Sequence, residues 1–124
     1  MSIRFSTAQA AEAAFYKAFE QADLAAMMAV WAEDEDIVCV HPGGIRLVGI
    51  EAVRDSWRQL FSEGPQLRFK RLELRTQGDR MLSVHSLYEH ITARGDPRTH
   101  LALATNVYGP VSYTHLTLPT ILLV

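Results

Sequence analysis

The chain has 124 residues, of which 48% are hydrophobic and 21% charged, and its formal net charge is −2. That size and balance describe one globular domain able to bury its own core, with no bulk electrostatic case for nucleic acid or anionic membrane. No apolar stretch approaches the roughly 20 residues of a bilayer span. The one cysteine, Cys39, can form neither an internal disulfide nor a cysteine-based zinc site, and it fits a reducing cytoplasm. The N-terminal MSIRFSTAQAAEAAF lacks the apolar run of a signal peptide.

Ser6 with Gln9 three residues on has the form of a capping box, opening a helix from about Thr7 to Gln21. Ala11, Phe15, Phe19 and Ala22 share one face of it, flanked by Tyr16. Asp23 caps a second helix, whose Leu24, Met27, Met28 and Trp31 repeat at i, i+3, i+4 and i+7. Glu33 to Asp36 follow as a solvated acidic loop; four adjacent acids rarely converge on one cation. Ile37 to His41 reads as a strand covered on both faces, ended by Pro42-Gly43-Gly44. Ile45 to Val48 returns, and Gly49 permits a sharp entry into a third helix. Ile50, Val53, Trp57, Leu60 and Phe61 form its apolar face, and Gly64-Pro65 stops it.

The remainder is a meander. Gln66 to Thr76 alternates, with a bulge or a twist expected near Lys70-Arg71 where the apolar side switches. Met81 to Thr92 and Arg98 to Tyr108 are long strands, turned at Gln77-Gly78-Asp79 and Gly95-Asp96-Pro97. The order predicts an α+β fold, three helices packed on one face of a curved antiparallel sheet. Val111 to Val124, VSYTHLTLPTILLV, resembles a foreign tail translated onto a truncated frame. The domain is then residues 1–109, lacking its last native strand, with 110–124 outside it. The alternative is a genuine strand from Val111 to Leu118.

His41 is the leading candidate for chemistry, an imidazole at a strand end that can carry protons near neutral pH. Its structural alternative is a ring bonded to a turn carbonyl. His85 and His90 fall on opposite strand faces, so a metal triad with His41 is not expected. Glu89 shares a face with His85, two residue pairs away and too far for a direct bond in a flat strand. Trp31 and Trp57 belong to apolar stripes and can also wall a pocket for a flat apolar ligand. Arg46 can meet an anion or stay solvated. Asn106 is the inward polar residue of the last long strand, able to orient a carbonyl or to satisfy a buried backbone group.

Four segments carry a family resemblance: AAFYKAFEQADLAAMMAVWAEDEDIVCVHPGG, RLVGIEAVRDSW, and the HSLYEHITARG and HLALATNVY strands. From about Ala8 to Tyr108 the chain resembles the SnoaL-like, nuclear transport factor 2-like superfamily, which includes the ketosteroid isomerases. The resemblance implies a cone-shaped, cystatin-like α+β barrel, often dimeric, with a cavity between sheet and helices. The isomerases' general base, an aspartate before a proline, has its counterpart here in His41 before Pro42. Their first-helix tyrosine falls at Phe15, with Tyr16 one residue off and about 100° round the helix. Their late-strand acid has no clear match, Thr105 or Asn106 lying nearest. The expected function is a small-molecule domain, without metal or cofactor, performing proton transfer on an apolar carbonyl compound through His41. Phe15, Tyr16, Trp31, Arg46, Trp57 and Asn106 would contact the ligand. The alternative is a non-catalytic dimerisation or ligand-sensing module. A homodimer through the outer face of the meander is expected, with neither nucleic acid nor membrane as partner.

Overall fold

The computed structural model describes residues 5, 7–41, 44–78, 82–111 and 115–116. The expected cap Ser6, the turn residues Pro42, Gly43 and Asp79, the strand start Met81 and most of the tail lie outside them.

Helix α1 spans Ala8–Gln21 and is capped by Thr7, whose hydroxyl accepts from the Ala10 N–H at 3.0 Å. The cap lies one residue later than the Ser6–Gln9 pattern expects. Ala22 ends the helix in the left-handed region at φ 52°, and the Asp23 N–H reaches back to the Ala18 carbonyl at 3.0 Å. That closure delivers Asp23 directly as cap of α2, Leu24–Val30, where its carboxylate accepts from the Ala26 N–H at 3.0 Å. Strands β1 (Val38–Val40) and β2 (Arg46–Val48) pair antiparallel, with Cys39 opposite Leu47. Gly49, at φ 92°, holds a conformation that side chains resist and donates to the Ile37 carbonyl at 2.9 Å. Helix α3, Ile50–Glu63, follows it and ends at Gly64.

Strands β3 (Leu67–Gly78), β4 (Ser83–Ala93) and β5 (Thr99–Tyr108) form one antiparallel sheet in that order. Two short strands, β6 (Pro110–Val111) and β7 (His115–Leu116), pair with each other. The fold is therefore α+β, three helices on one face of an antiparallel sheet. Burial alternates along β4 and β5, with Ser83, His85, Leu87 and Glu89 on β4 and Ala102, Ala104, Asn106 and Tyr108 on β5 facing the helices.

The bulge falls between Glu73 and Arg75, not at Lys70-Arg71, with Leu74 as the extra residue. Up to that point β3 keeps one alternation, which pairs Glu73 with Leu87 of the inner face and sends Leu72 outward opposite Tyr88. The side switch read from the leucines is simply the outer face of an edge strand. At the core, Phe15, Tyr16, Met27, Val30, Trp31, Ile37, Cys39, Val53, Trp57, Leu87 and Ala104 form one cluster. Edge-to-face and tilted rings dominate it, with Trp57 at 5.7 Å from Phe15 and 4.8 Å from Phe19. Among the described residues no helix is long and apolar enough to cross a membrane.

Candidate functional site

Helix periodicity puts Glu12 and Tyr16 one turn apart on α1, beside the stripe that carries Phe15. Strand parity points His85 and Glu89 of β4, and Asn106 and Tyr108 of β5, at the same helix. All six side chains are buried, none of these residues more than 2% exposed. Burial of so many polar groups is tolerable only if they satisfy one another.

They largely do. His85 Nδ1 lies 2.5 Å from Glu12 Oε2, a charge-assisted contact in which Nδ1–H donates to the carboxylate. That assignment leaves Nε2 as the lone-pair nitrogen, 3.1 Å from Ser83 Oγ. The Tyr16 hydroxyl donates to Glu89 Oε2 and accepts from Asn106 Nδ2 at 3.2 Å. Asn106 Nδ2 also reaches Glu12 Oε1 at 3.4 Å, tying the two pairs into one network. Among the described residues two polar atoms in it have no partner, the Tyr108 hydroxyl and Asn106 Oδ1. The Tyr108 ring lies against His85 with centroids 5.1 Å apart.

The network is rich in carboxylates. Glu73, on the exposed part of β3, brings a third to within 4.8 Å of the Glu12 and His85 ligand atoms. Partial desolvation, then the charge of Glu12 and a hydrogen bond with it, raise the Glu73 carboxyl. Burial raises Glu89, opposed by the Tyr16 hydrogen bond and by Arg71. The Arg71 guanidinium sits 4.6 Å over the Tyr16 ring. Burial, followed by Glu89, pushes the Tyr16 hydroxyl far above its ordinary range, so it stays a donor. Tyr108 is raised for the same first reason.

Of the residues expected at the site, Tyr16 and Asn106 enter this network and the others do not. Phe15, Trp31 and Trp57 are core rings, at most 1% exposed. They pack on one another, with Phe15 at 6.4 Å from Trp31 and Trp31 at 6.5 Å from Trp57. Arg46 is exposed on β2. His41 stands edge-on to Trp57 at 4.7 Å, whereas Tyr16 packs on Phe15 at 5.0 Å. Its Nε2 meets Ser56 Oγ at 3.1 Å and Cys39 Sγ at 3.7 Å. Because the Ser56 hydroxyl already donates to the Val53 carbonyl at 2.7 Å, His41 Nε2–H is the donor to Ser56. Among the described residues, then, its ring bonds α3 and not a turn carbonyl. Burial lowers the His41 pKa and raises the Cys39 thiol to about 12.

Of the candidate site's residues, the sequence does not single out Glu12, Glu73 or Tyr108, and it weighs His85 and Glu89 only to set them aside. His85 and Glu89 do not bond each other, as the flat-strand spacing requires; each meets a different residue of α1. The legible signal is three polar residues, Ser83, His85 and Glu89, on one strand parity with Leu87, opposite a helix carrying Glu12 and Tyr16 at i and i+4.

The SnoaL-like domain family matches residues 8–109. Among solved structures, a protein from Thiobacillus denitrificans is described as a candidate calcium/calmodulin-dependent protein kinase type II association domain. It is 31% identical and superposes with a TM-score of 0.89 over 98% of this chain and 97% of its own. A candidate dehydratase of the nuclear transport factor 2-like family from Streptomyces avermitilis is 22% identical, with a TM-score of 0.77 over 90% and 88% of the two chains. A ketosteroid isomerase-like protein from Erwinia carotovora atroseptica is 17% identical, with a TM-score of 0.65 over 91% and 88%. Comparison with curated proteins found no match.

Proposed function

The chain belongs to the SnoaL-like domain family, and on that premise we propose that it binds a small carbonyl compound at the polar end of its inner face and moves a proton on it without a cofactor. The observation that carries this reading is the buried Glu12–His85 pair at 2.5 Å beside a buried Tyr108 hydroxyl with no partner. Glu12 fixes the His85 tautomer and stabilises the imidazolium that forms when Nε2 accepts a proton. The Ser83 hydroxyl at Nε2 turns aside as substrate enters. Tyr108 supplies a spare donor for the oxygen that gains charge, and Asn106 Oδ1 a spare acceptor.

This reading moves the base from His41 to His85. His41 has no carboxylate partner among the described residues and points Nε2–H at Ser56. The test is deuterium uptake from solvent at the α-carbon of small apolar ketones, followed by NMR. Wild type should accelerate exchange, His85→Gln should lose about 100-fold or more, and His41→Gln should keep the rate. Loss in His41→Gln with retention in His85→Gln would return the role to His41; no acceleration by wild type would remove the enzymatic reading.

A second reading, a homomeric association module, is favoured by the 31% identity to a protein described as an association domain. Its surface would be the outward sheet face, where Leu72 and Leu101 are 56% and 58% exposed. The partner would be a second copy of this chain.

A further inference from the structure

Glu12, Glu73 and His85 come from α1, β3 and β4, yet one ligand atom of each lies within 4.8 Å of the other two. Among the described residues this is the group of acidic, histidine and cysteine side chains that converges in this way; the acidic loop Glu33 to Asp36 does not. We propose that these three side chains form a site for one first-row divalent transition-metal ion of the zinc type.

The donor set favours that class. One imidazole nitrogen with two carboxylate oxygens suits zinc and its neighbours, whereas magnesium and calcium prefer oxygen alone. Zinc bonds of about 2.0–2.2 Å place tetrahedral ligand atoms roughly 3.4 Å apart. The Glu12–His85 separation of 2.5 Å must therefore widen by about 1 Å as the ion replaces the shared proton. Glu73 lies on an exposed stretch of edge strand and can swing in without disturbing the core. With Nδ1 on the metal, His85 carries its proton on Nε2 and donates it to Ser83 Oγ, 3.1 Å away. That outer contact fixes the ring as metal-bound histidines require.

Independent of the carboxylates, the site holds two buried polar atoms that nothing in the described protein satisfies. Tyr108 is 1% exposed, its ring lies 5.1 Å from His85, and its hydroxyl has no partner. Asn106 is fully buried; its amide nitrogen reaches Glu12 and its Oδ1 has no partner. Water in the fourth position of a three-residue site can accept from the Tyr108 hydroxyl and donate to Asn106 Oδ1. An ion with its water thus accounts for two groups that the fold otherwise leaves buried and unpaired.

The inference goes beyond the proton-transfer reading and does not rest on it. The ion takes the Nδ1 and the carboxylate oxygen that hold His85 as a base, so the loaded protein should be silent in ketone exchange whatever the unloaded protein does.

The experiment strips the full chain with a chelator and titrates it with zinc by calorimetry and with cobalt by visible absorption. One ion per chain is expected, with a tetrahedral cobalt band and a zinc-induced shift of the His85 imidazole nitrogens by NMR. Glu73→Gln should weaken binding at least tenfold while leaving the melting temperature of the stripped protein unchanged. The exposed pair His90→Gln and His100→Gln should leave binding intact. No stoichiometric binding, binding that Glu73→Gln leaves intact, or binding that the surface-histidine variant removes would each overturn the site.

Discussion

Tyr16→Phe removes one oxygen from the middle of the polar network and leaves the ring that packs against Phe15 at 5.0 Å and Phe69 at 5.4 Å. What is lost is the donor to Glu89, a residue only 2% exposed. Burial raises that carboxyl in the folded state, and the Tyr16 hydrogen bond is the strongest group pulling it back. A carboxyl raised on folding contributes stability that is complete below its unfolded pKa and is lost as pH rises through the folded one. Without the Tyr16 donor the folded value rises further, so the loss continues to higher pH. The substitution should therefore be mild in acid, where a neutral carboxyl loses one ordinary hydrogen bond of about 1 kcal/mol. It should grow to about 2–3 kcal/mol at higher pH, where a buried carboxylate lacks its donor. At about 3–5 °C per kcal/mol for a domain of this size, the melting temperature should fall by about 4 °C on the acid side of the Glu89 titration range and about 10 °C on its alkaline side. Circular-dichroism melts across that range measure it. In a Glu89→Gln background the Tyr16→Phe penalty should become independent of pH. A constant penalty in the native background, or one larger in acid, would refute the argument that a buried charge sets the cost.

His41 is lowered by burial, so the stability it contributes is present above its unfolded pKa of about 6.5 and lost as pH falls through the folded value; His41→Gln should flatten that acid limb, and an NMR titration should place its midpoint below 6.5. Gly78 sits at φ 109°, where an added Cβ would fall 1.9 Å from the Leu82 carbonyl oxygen, whereas at Gly95, with φ 86°, it would meet nothing within 4 Å. Gly78→Ala should cost well over the roughly 1 kcal/mol that positive φ alone imposes on Gly95→Ala, and equal denaturation midpoints would contradict this. Leu101→Lys places a charge on the outward face and should convert a dimer seen by light scattering to monomer; an unchanged mass would place any association elsewhere.

The helices and strands are legible in the sequence because each has a one-sided period and a chemically marked end. Asp23, Gly49 and Gly64 stand where the structure caps or stops a helix. The bulge is harder to place because the sequence shows only that leucines change side, and Leu72 and Leu74 are exposed residues of an edge strand with no core to report on. The site is less legible for a geometric reason. Phe15 and Tyr16 are neighbours in sequence but about 100° apart on the helix. Choosing between them requires knowing which face meets β4 and β5, a tertiary fact. His41 draws attention through its turn, yet the side chains that reach each other are 73 residues apart in both the Glu12–His85 and Tyr16–Glu89 pairs.

The two faces of α1 explain why such a network survives in so small a core. Phe15 and Ala18 bury in the aromatic and aliphatic cluster shared with α2 and α3, while Glu12 and Tyr16 face the sheet. The aromatic block excludes water from one side of the network, which strengthens every hydrogen bond inside it and makes any unmade one costly. An apolar replacement of similar shape at Glu12, His85, Tyr16 and Glu89 would fold at least as well, since buried ion pairs commonly give no net stability over packed hydrocarbon. Stability therefore does not account for four such side chains, and their arrangement is better understood through what they can hold. Among the described residues the Tyr108 hydroxyl and the Asn106 carbonyl have no partner, and on the readings proposed above they are where a ligand atom would bond. Glu73 is the exposed member of the converging group, and on that reading it would mark the direction of entry.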